Sequence, residues 1–315
     1  MTESASGSAG VARWGTAAGL ALAVVLLSAL DSLPLVFVPL ALIMLTVALE
    51  RRWRWIVAGL ALGMLGLTTI GGPLGQISRA WALLLGGAFV LVAVWRPGWG
   101  VLPRALAAVG AAAAAGGLWV GLSGGWQPLD TRVREELVAM ADRTFEAARQ
   151  ASPESPWVGD LAEAARQMAE LQANLFPGLL ALQSLAALGL ASWLVARFRR
   201  READPFTVRP WREFRFNDQL VWLLIAGLAL MLLPLGAVAT RLGYNAVVFM
   251  AALYALRGVG VFLFLSVGAS SLFMIVFGTL AAVFLYPLIL GAAILIGLGD
   301  TWLDVRGRAV AASRS

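Results

Sequence analysis

The chain has 315 residues, 60% of them hydrophobic, and 24 basic against 18 acidic residues give a net charge of +6. Cysteine and histidine are absent and every base is arginine, which excludes disulfides, thiolate and imidazole catalysis and the commonest metal ligands. Mean hydropathy is +0.82, and apolar runs of about 17–25 residues recur, the length that crosses a hydrocarbon core of about 30 Å.

Residues 1–13 are small and polar and read as a disordered tail. The first apolar run, Trp14 to Leu30, has no convincing cleavage site behind it and reads as a retained helix. Asp31, Ser32 and Pro34 then give a cap and an early proline for the second run, Leu35 to Leu49. That run ends in Glu50-Arg51-Arg52-Trp53-Arg54. The third run, 55–70, stops at the breaker cluster Gly71-Gly72-Pro73-Leu74-Gly75. The fourth covers Ala80 to Trp95 and the fifth Ala105 to Leu122, which closes a first membrane group at 14–122.

Residues 123–176 carry nine acids and five arginines. Apolar positions are spaced through them at Val133, Leu137, Met140 and Ala141, then at Leu161, Ala164, Met168 and Leu171. This periodicity predicts two amphipathic helices, broken at Ser152-Pro153-Glu154-Ser155-Pro156, outside the bilayer or along its surface. A second membrane group, 177–299, holds a sixth run from Pro177 to Ala196, a seventh from Leu220 to Ala239 and an eighth from Tyr244 to Val267. The last run, Leu272 to Leu298, contains Pro287 and reads as one kinked helix or two short ones. Residues 300–315 form a tail.

The arginines orient this layout. With a cytoplasmic N-terminus, the loops 50–54, 96–104 and 197–215 lie inside and carry three, two and seven arginines, while the outside loops 71–79 and 240–243 carry one each. The bias puts 123–176 outside. Nine single crossings would strand Arg306, Arg308 and Arg314 outside; a hairpin at Pro287 returns them to the cytoplasm. Arginines placed to orient a membrane protein argue against nucleic-acid binding.

Arg257 is the most pointed candidate for a functional residue, because a charge within an apolar run costs about 2.5–3.5 kcal/mol and tends to face the bundle interior. It reads as an internal ion pair or as a ligand contact, with Asn245 upstream on the same run. Its side chain also has room to snorkel toward the inner interface. Asp300 and Asp304, four apart, share a helix face if the helix continues. That pair suits a clamp to Arg257 or to the basic loop better than a metal ion. Arg199, Arg200, Arg201, Arg212 and Arg215, interleaved with Trp211, Phe214 and Phe216, read as contacts for lipid headgroups or a partner protein. Small-residue spacings at Ala17/Ala21, Gly59/Gly63 and Gly110/Ala114 permit close helix packing. No phosphate loop and no catalytic constellation is found.

Phe176-Pro177-Gly178, Phe214-Arg215-Phe216, the stretch from Asn245 to Val261 and the ending Gly297-Leu298-Gly299-Asp300-Thr301-Trp302-Leu303-Asp304-Val305-Arg306 resemble the YybS-like family of bacterial membrane proteins, whose ending is G-L-x-D-x-W-x-D-F-R. Here Arg257 stands where that family more often has Gln, and Val305 replaces Phe. The N-terminal helices, with Pro34, Pro39, a basic turn and a Gly-rich third run, look like the S components of energy-coupling-factor vitamin transporters.

The expected fold is all-α: a polytopic bundle of eight or nine membrane helices with an amphipathic helical pair outside the bilayer. The expected setting is a bacterial inner membrane. The resemblance implies a small-molecule binding or transport subunit, with Ala17 and Ala21 facing a partner protein. The alternative is a non-transporting scaffold or regulatory protein acting through its basic cytoplasmic loop. Lipids are expected partners, with another membrane protein or a small-molecule ligand possible ones. No enzyme activity, metal, cofactor or nucleic acid is expected.

Overall fold

The computed structural model describes residues 3–27, 30–48, 73–151, 157–199, 206–266 and 285–312. No strand occurs among them. The helices are α1 (Glu3–Leu27), α2 (Ser32–Ile43, continued by a π turn at Met44–Ala48), α3 (Pro73–Trp95), α4 (Val101–Leu122), α5 (Trp126–Ala151), α6 (Trp157–Arg199), α7 (Val221–Leu232), α8 (Ala237–Leu265), α9 (Tyr286–Leu303) and α10 (Val305–Ala312). Stretches of α3, α4, α6 and α8 are long and apolar enough to cross a membrane, and shorter apolar helices occupy Trp14–Leu27, Ser32–Thr46, Asp218–Leu232 and Pro287–Leu303. The third run, 55–70, and the first part of the last run, 272–284, lie outside the described residues. The chain divides into two compact units, residues 17–208 and residues 209–315 with the first sixteen.

In the unit 17–208, α6 is the central helix, packed against α2, α4 and α5. Helix α1 begins at Glu3, ahead of the expected start at Trp14, because extending a formed helix adds one bond per residue without a new nucleus. The break between α1 and α2 is not held by the expected cap. Asp31 occupies the N-cap position, but its side chain makes no capping bond. Gln183 of α6 does that work from across the bundle. Its Oε1 accepts from the Leu30 N–H at 3.0 Å, while its Nε2 donates to Leu30 O at 2.9 Å and Val24 O at 3.1 Å. Where no water reaches, a broken helix needs such a substitute for its lost backbone bonds. Next to it, Trp81 Nε1 of α3 donates to Ser184 Oγ at 2.9 Å. Of the small-residue pairs, Ala17 is buried within the unit and Ala21 half-buried; Gly110 and Ala114 are exposed, and Gly59 and Gly63 lie outside the described residues. Helix α3 starts at Pro73, a favoured first position, so Arg79, expected in a loop, is helical and donates from Nε to Gly75 O.

Helix α6 corrects two expectations. Pro177 does not open a new helix; it sits inside a helix of 43 residues, as proline can where neighbouring helices hold the segment. A helix of that length spans about 65 Å. The part ahead of Pro177 is therefore continuous with the apolar half and is not a separate helix. The packed face also differs. Ala162, Ala169, Ala173 and Phe176 are buried, with Val133 of α5 beside them in the same hairpin, while Leu161, Ala164, Met168 and Leu171 are exposed. Small side chains let the two antiparallel helices approach closely, and Arg166–Asp142 (2.6 Å) and Arg134–Asn174 (2.9 Å) fix their register.

In the other unit, α7 and α9 both run antiparallel to α8. Gly227 of α7 lies against Ala246 and Val247, and Gly243 against Met231, on the first half of α8. A Cβ on Gly297 of α9 would meet the Tyr254 carbonyl oxygen, and one on Gly258 would meet that of Ala293. Helix α9 thus packs backbone to backbone on the second half of α8. The turn between α7 and α8 falls at residues 233–236, not at the expected 240–243. Pro234 cannot extend α7, and Gly236, at φ 94° and ψ 168°, adopts a conformation that costs a glycine little. Arg241 is therefore helical. Helix α9 begins at Tyr286 with Pro287 in its first turn, a separate helix in its own right.

Replacing Gln183 with Leu strips the partners from the Leu30 N–H and carbonyl and leaves the Val24 carbonyl with Ser32 Oγ. The expected loss is about 2–3 kcal/mol, read as a lowered midpoint of thermal unfolding in detergent; an unchanged midpoint would refute the role assigned to Gln183.

Candidate functional site

The start of α7 and the end of α9 meet alongside the middle of α8, and Arg257 stands at that junction. Its side chain is only 3% exposed. All three guanidinium nitrogens are engaged: Nε with Asp300 Oδ2 at 3.0 Å, Nη1 with Asp218 Oδ1 at 2.5 Å, and Nη2 with the Asp300 carbonyl at 3.1 Å. The last of these satisfies a backbone oxygen in the final turn of α9, where positive charge also complements the helix dipole. Phe216 lies 5.5 Å below the guanidinium and makes an edge contact with Tyr254.

Asp300 is the hub. Its fully buried carboxylate accepts from Arg257 and, at 2.8 Å, from Arg306 Nη2. Arg306 Nη1 then donates to the carbonyls of Arg212 and Phe214 at 3.2 and 3.1 Å, which ties the irregular segment ahead of α7 to the tail. Two arginines face two aspartates here, so the cluster is neutral. Asp300 Oδ1 and Arg306 Nε are buried without a hydrogen-bond partner.

Asp300 and Asp304 do not share a face. Helix α9 ends at Leu303, and Asp304 sits in the left-handed region at φ 39° and ψ 54°. This turn sends Asp304 outward to Arg215 at 2.7 Å, and brings Arg306 back onto Asp300. Among the described residues no group of carboxylates is arranged to hold a metal ion. Asn245 is buried on α8 about 18 Å along the axis from Arg257, and its Nδ2 donates to Arg241 O at 2.9 Å; the structure does not bring it to the cluster. Arg212 is half-exposed beside Glu213 at 3.8 Å. Arg199 ends α6, and Arg200 and Arg201 lie outside the described residues.

Within the unit 17–208 a second buried arginine holds irregular backbone. Arg104, 1% exposed, donates to the carbonyls of Pro97 at 2.6 Å and Arg96 at 3.4 Å. Its guanidinium also lies 5.5 Å from the ring of buried Phe206, which packs on Phe89.

A family model described as "Predicted membrane protein (DUF2232)" matches residues 16–301. The chain belongs to this family of membrane proteins. No curated protein and no solved structure matches it. The family match takes in Arg104, Asp218, Arg257 and Asp300 but stops short of Arg306.

Sequence reasoning missed Asp218, Arg306, Arg104 and Gln183. Asp218 reads as an ordinary residue at a helix start. Arg306, six positions after Asp300, falls on another face of a continuous helix and meets it only because of the left-handed turn. Gln183 and Arg104 serve backbone groups distant from any motif; the one available signal is the rarity of such side chains in apolar surroundings.

The burial of each partner ranks the consequences of removing it. Asp300→Asn leaves Arg306 without a carboxylate and Arg257 with Asp218 alone, and is expected to cost about 3–5 kcal/mol. Asp218→Asn and Asp304→Asn, both more than half exposed, are expected to cost about 1 kcal/mol or less. Thermal unfolding of the three variants in detergent checks this order, and equal shifts would refute it.

Proposed function

We propose that this protein is a non-transporting membrane scaffold or regulatory protein that presents its basic segment, 197–215, on the cytoplasmic face of a bacterial inner membrane. The observation that carries this reading is the commitment of Arg257. A ligand site at this residue would leave guanidinium donors turned toward an open cleft, whereas all three nitrogens here bind acids or backbone. The cluster instead fixes the backbone of Arg212 and Phe214. Beside it Arg209 and Arg212 are exposed, free to meet anionic lipid headgroups or an acidic partner.

The tail shares a side with this segment, since Arg306 and Asp304 contact residues 212–215. That agrees with a cytoplasmic C-terminus. The finer family likenesses, to the YybS-like proteins over 175–308 and to S components over 14–122, are readings of sequence.

The absence of cysteine makes single-cysteine labelling clean. A cysteine at Arg212 is expected to react with a membrane-impermeant maleimide only after cells are opened, and one at Asp142 in intact cells; the reverse pattern would overturn the orientation. A photo-crosslinker at Trp211 is expected to capture lipid or one discrete partner, with capture reduced severalfold by Arg209→Glu with Arg212→Glu. Capture that ignores these charges would overturn the scaffold reading.

A further inference from the structure

The turn from α3 to α4 joins two helices that are each long and apolar enough to cross a membrane. In a membrane protein such a turn belongs at a bilayer surface. Buried Arg104 holds its backbone by donating to the carbonyls of Arg96 and Pro97. The Arg96 side chain is exposed. Its guanidinium lies 4.7 Å from the ring of Trp95 and 5.7 Å from that of Trp99, and these rings are themselves 76% and 43% exposed. Rings hold a cation in place without neutralising it. No acid occurs from Arg51 to Leu129, and among the described residues no carboxylate pairs with Arg96.

A second pair of exposed tryptophans stands at the far end of the same helix. Trp119 lies about 27 Å along α4 from Val101, and Trp126, which opens α5, places its ring against Gly117. Between the two pairs α4 exposes Ala111, Ala114, Ala115 and Leu118, and α3 exposes Leu91 and Val94. Tryptophan collects at the two interfaces of a bilayer, and the separation of these pairs is close to a hydrocarbon core of about 30 Å.

We propose that Trp95, Arg96 and Trp99 form a headgroup site for an anionic phospholipid. The guanidinium takes the phosphate, the rings flank it, and the acyl chains lie along the uncharged wall that ends at Trp119. Charge selects this occupant. A zwitterionic lipid brings its own ammonium group into a corner that holds a cation and no carboxylate, whereas an anionic lipid supplies the missing charge. Free phosphate would leave the wall uncovered. The site is separate from the basic segment 197–215, and the proposal does not depend on which side of the membrane the turn faces.

Local fluorescence quenching tests it on the full chain. No native cysteine is present, and a Cβ at Gly98 or Gly121 meets open space, so Gly98→Cys and Gly121→Cys each carry a bimane label at one end of the wall. The labelled proteins are placed in phosphatidylcholine vesicles containing a small fraction of acyl-brominated phosphatidylglycerol or, separately, of acyl-brominated phosphatidylcholine. At position 98 the brominated phosphatidylglycerol is expected to be enriched about fivefold over the phosphatidylcholine; at position 121 the two are expected to quench alike. Arg96→Gln in the Gly98→Cys protein is expected to bring the two lipids to parity, with quenching by phosphatidylcholine and helical content unchanged. Equal quenching by both lipids at position 98 would overturn the site. So would a preference that survives Arg96→Gln or that is as large at position 121, since either would trace it to the net charge of the chain. A label at position 98 that neither lipid quenches would show that lipid does not reach the turn, and would overturn the proposal as well.

Discussion

A carboxylate survives inside a membrane protein only beside positive charge, and Asp300 meets that condition with two guanidinium groups. Much of residues 209–315 is arranged to supply them. Arg257 reaches Asp300 from α8 because Gly258 and Gly297 bring α8 and α9 into backbone contact. Arg306 reaches it from the tail because the chain reverses at Asp304. The spare donors of both arginines then satisfy backbone oxygens that water would otherwise hydrate, at Asp300, Arg212 and Phe214. Charge balance and backbone satisfaction are one arrangement here.

The unit 17–208 meets the same demand of irregular backbone with one amide and one guanidinium. Gln183 serves the interrupted helix at Leu30, and Arg104 serves the carbonyls of the turn between α3 and α4. In each case one long polar side chain replaces several bonds that an unbroken helix makes for itself. The irregular backbone within each unit is held in this manner, so Arg212 and Arg215 are presented from a segment that Arg306 and Asp304 fix within 209–315. This is the physical basis for reading the protein as a scaffold.

In the α5–α6 hairpin a different constraint governs: the Arg166–Asp142 ion pair and the Arg134–Asn174 hydrogen bond set its register, and side-chain size sets its packed face. Alanines at 162, 169 and 173 permit the close approach, and the larger residues at 161, 168 and 171 are turned away. Size decided which of two apolar stripes became the interior.

The sequence by itself determined the helical membrane class, most of the apolar segments, a helical pair in the acidic stretch and an internal ion pair as one reading of Arg257. Each follows from local properties: run length, periodicity, or a charge in an apolar setting. Only the tertiary structure decided that α6 runs through Pro177, that the α7–α8 turn falls at Pro234–Gly236, and which stripe of the hairpin is buried. It also decided that Asp300 and Asp304 part company while Arg306 joins Asp300. Those outcomes depend on the direction in which the chain leaves a turn and on how closely two backbones approach, and neither is written in the spacing of residues along one helix.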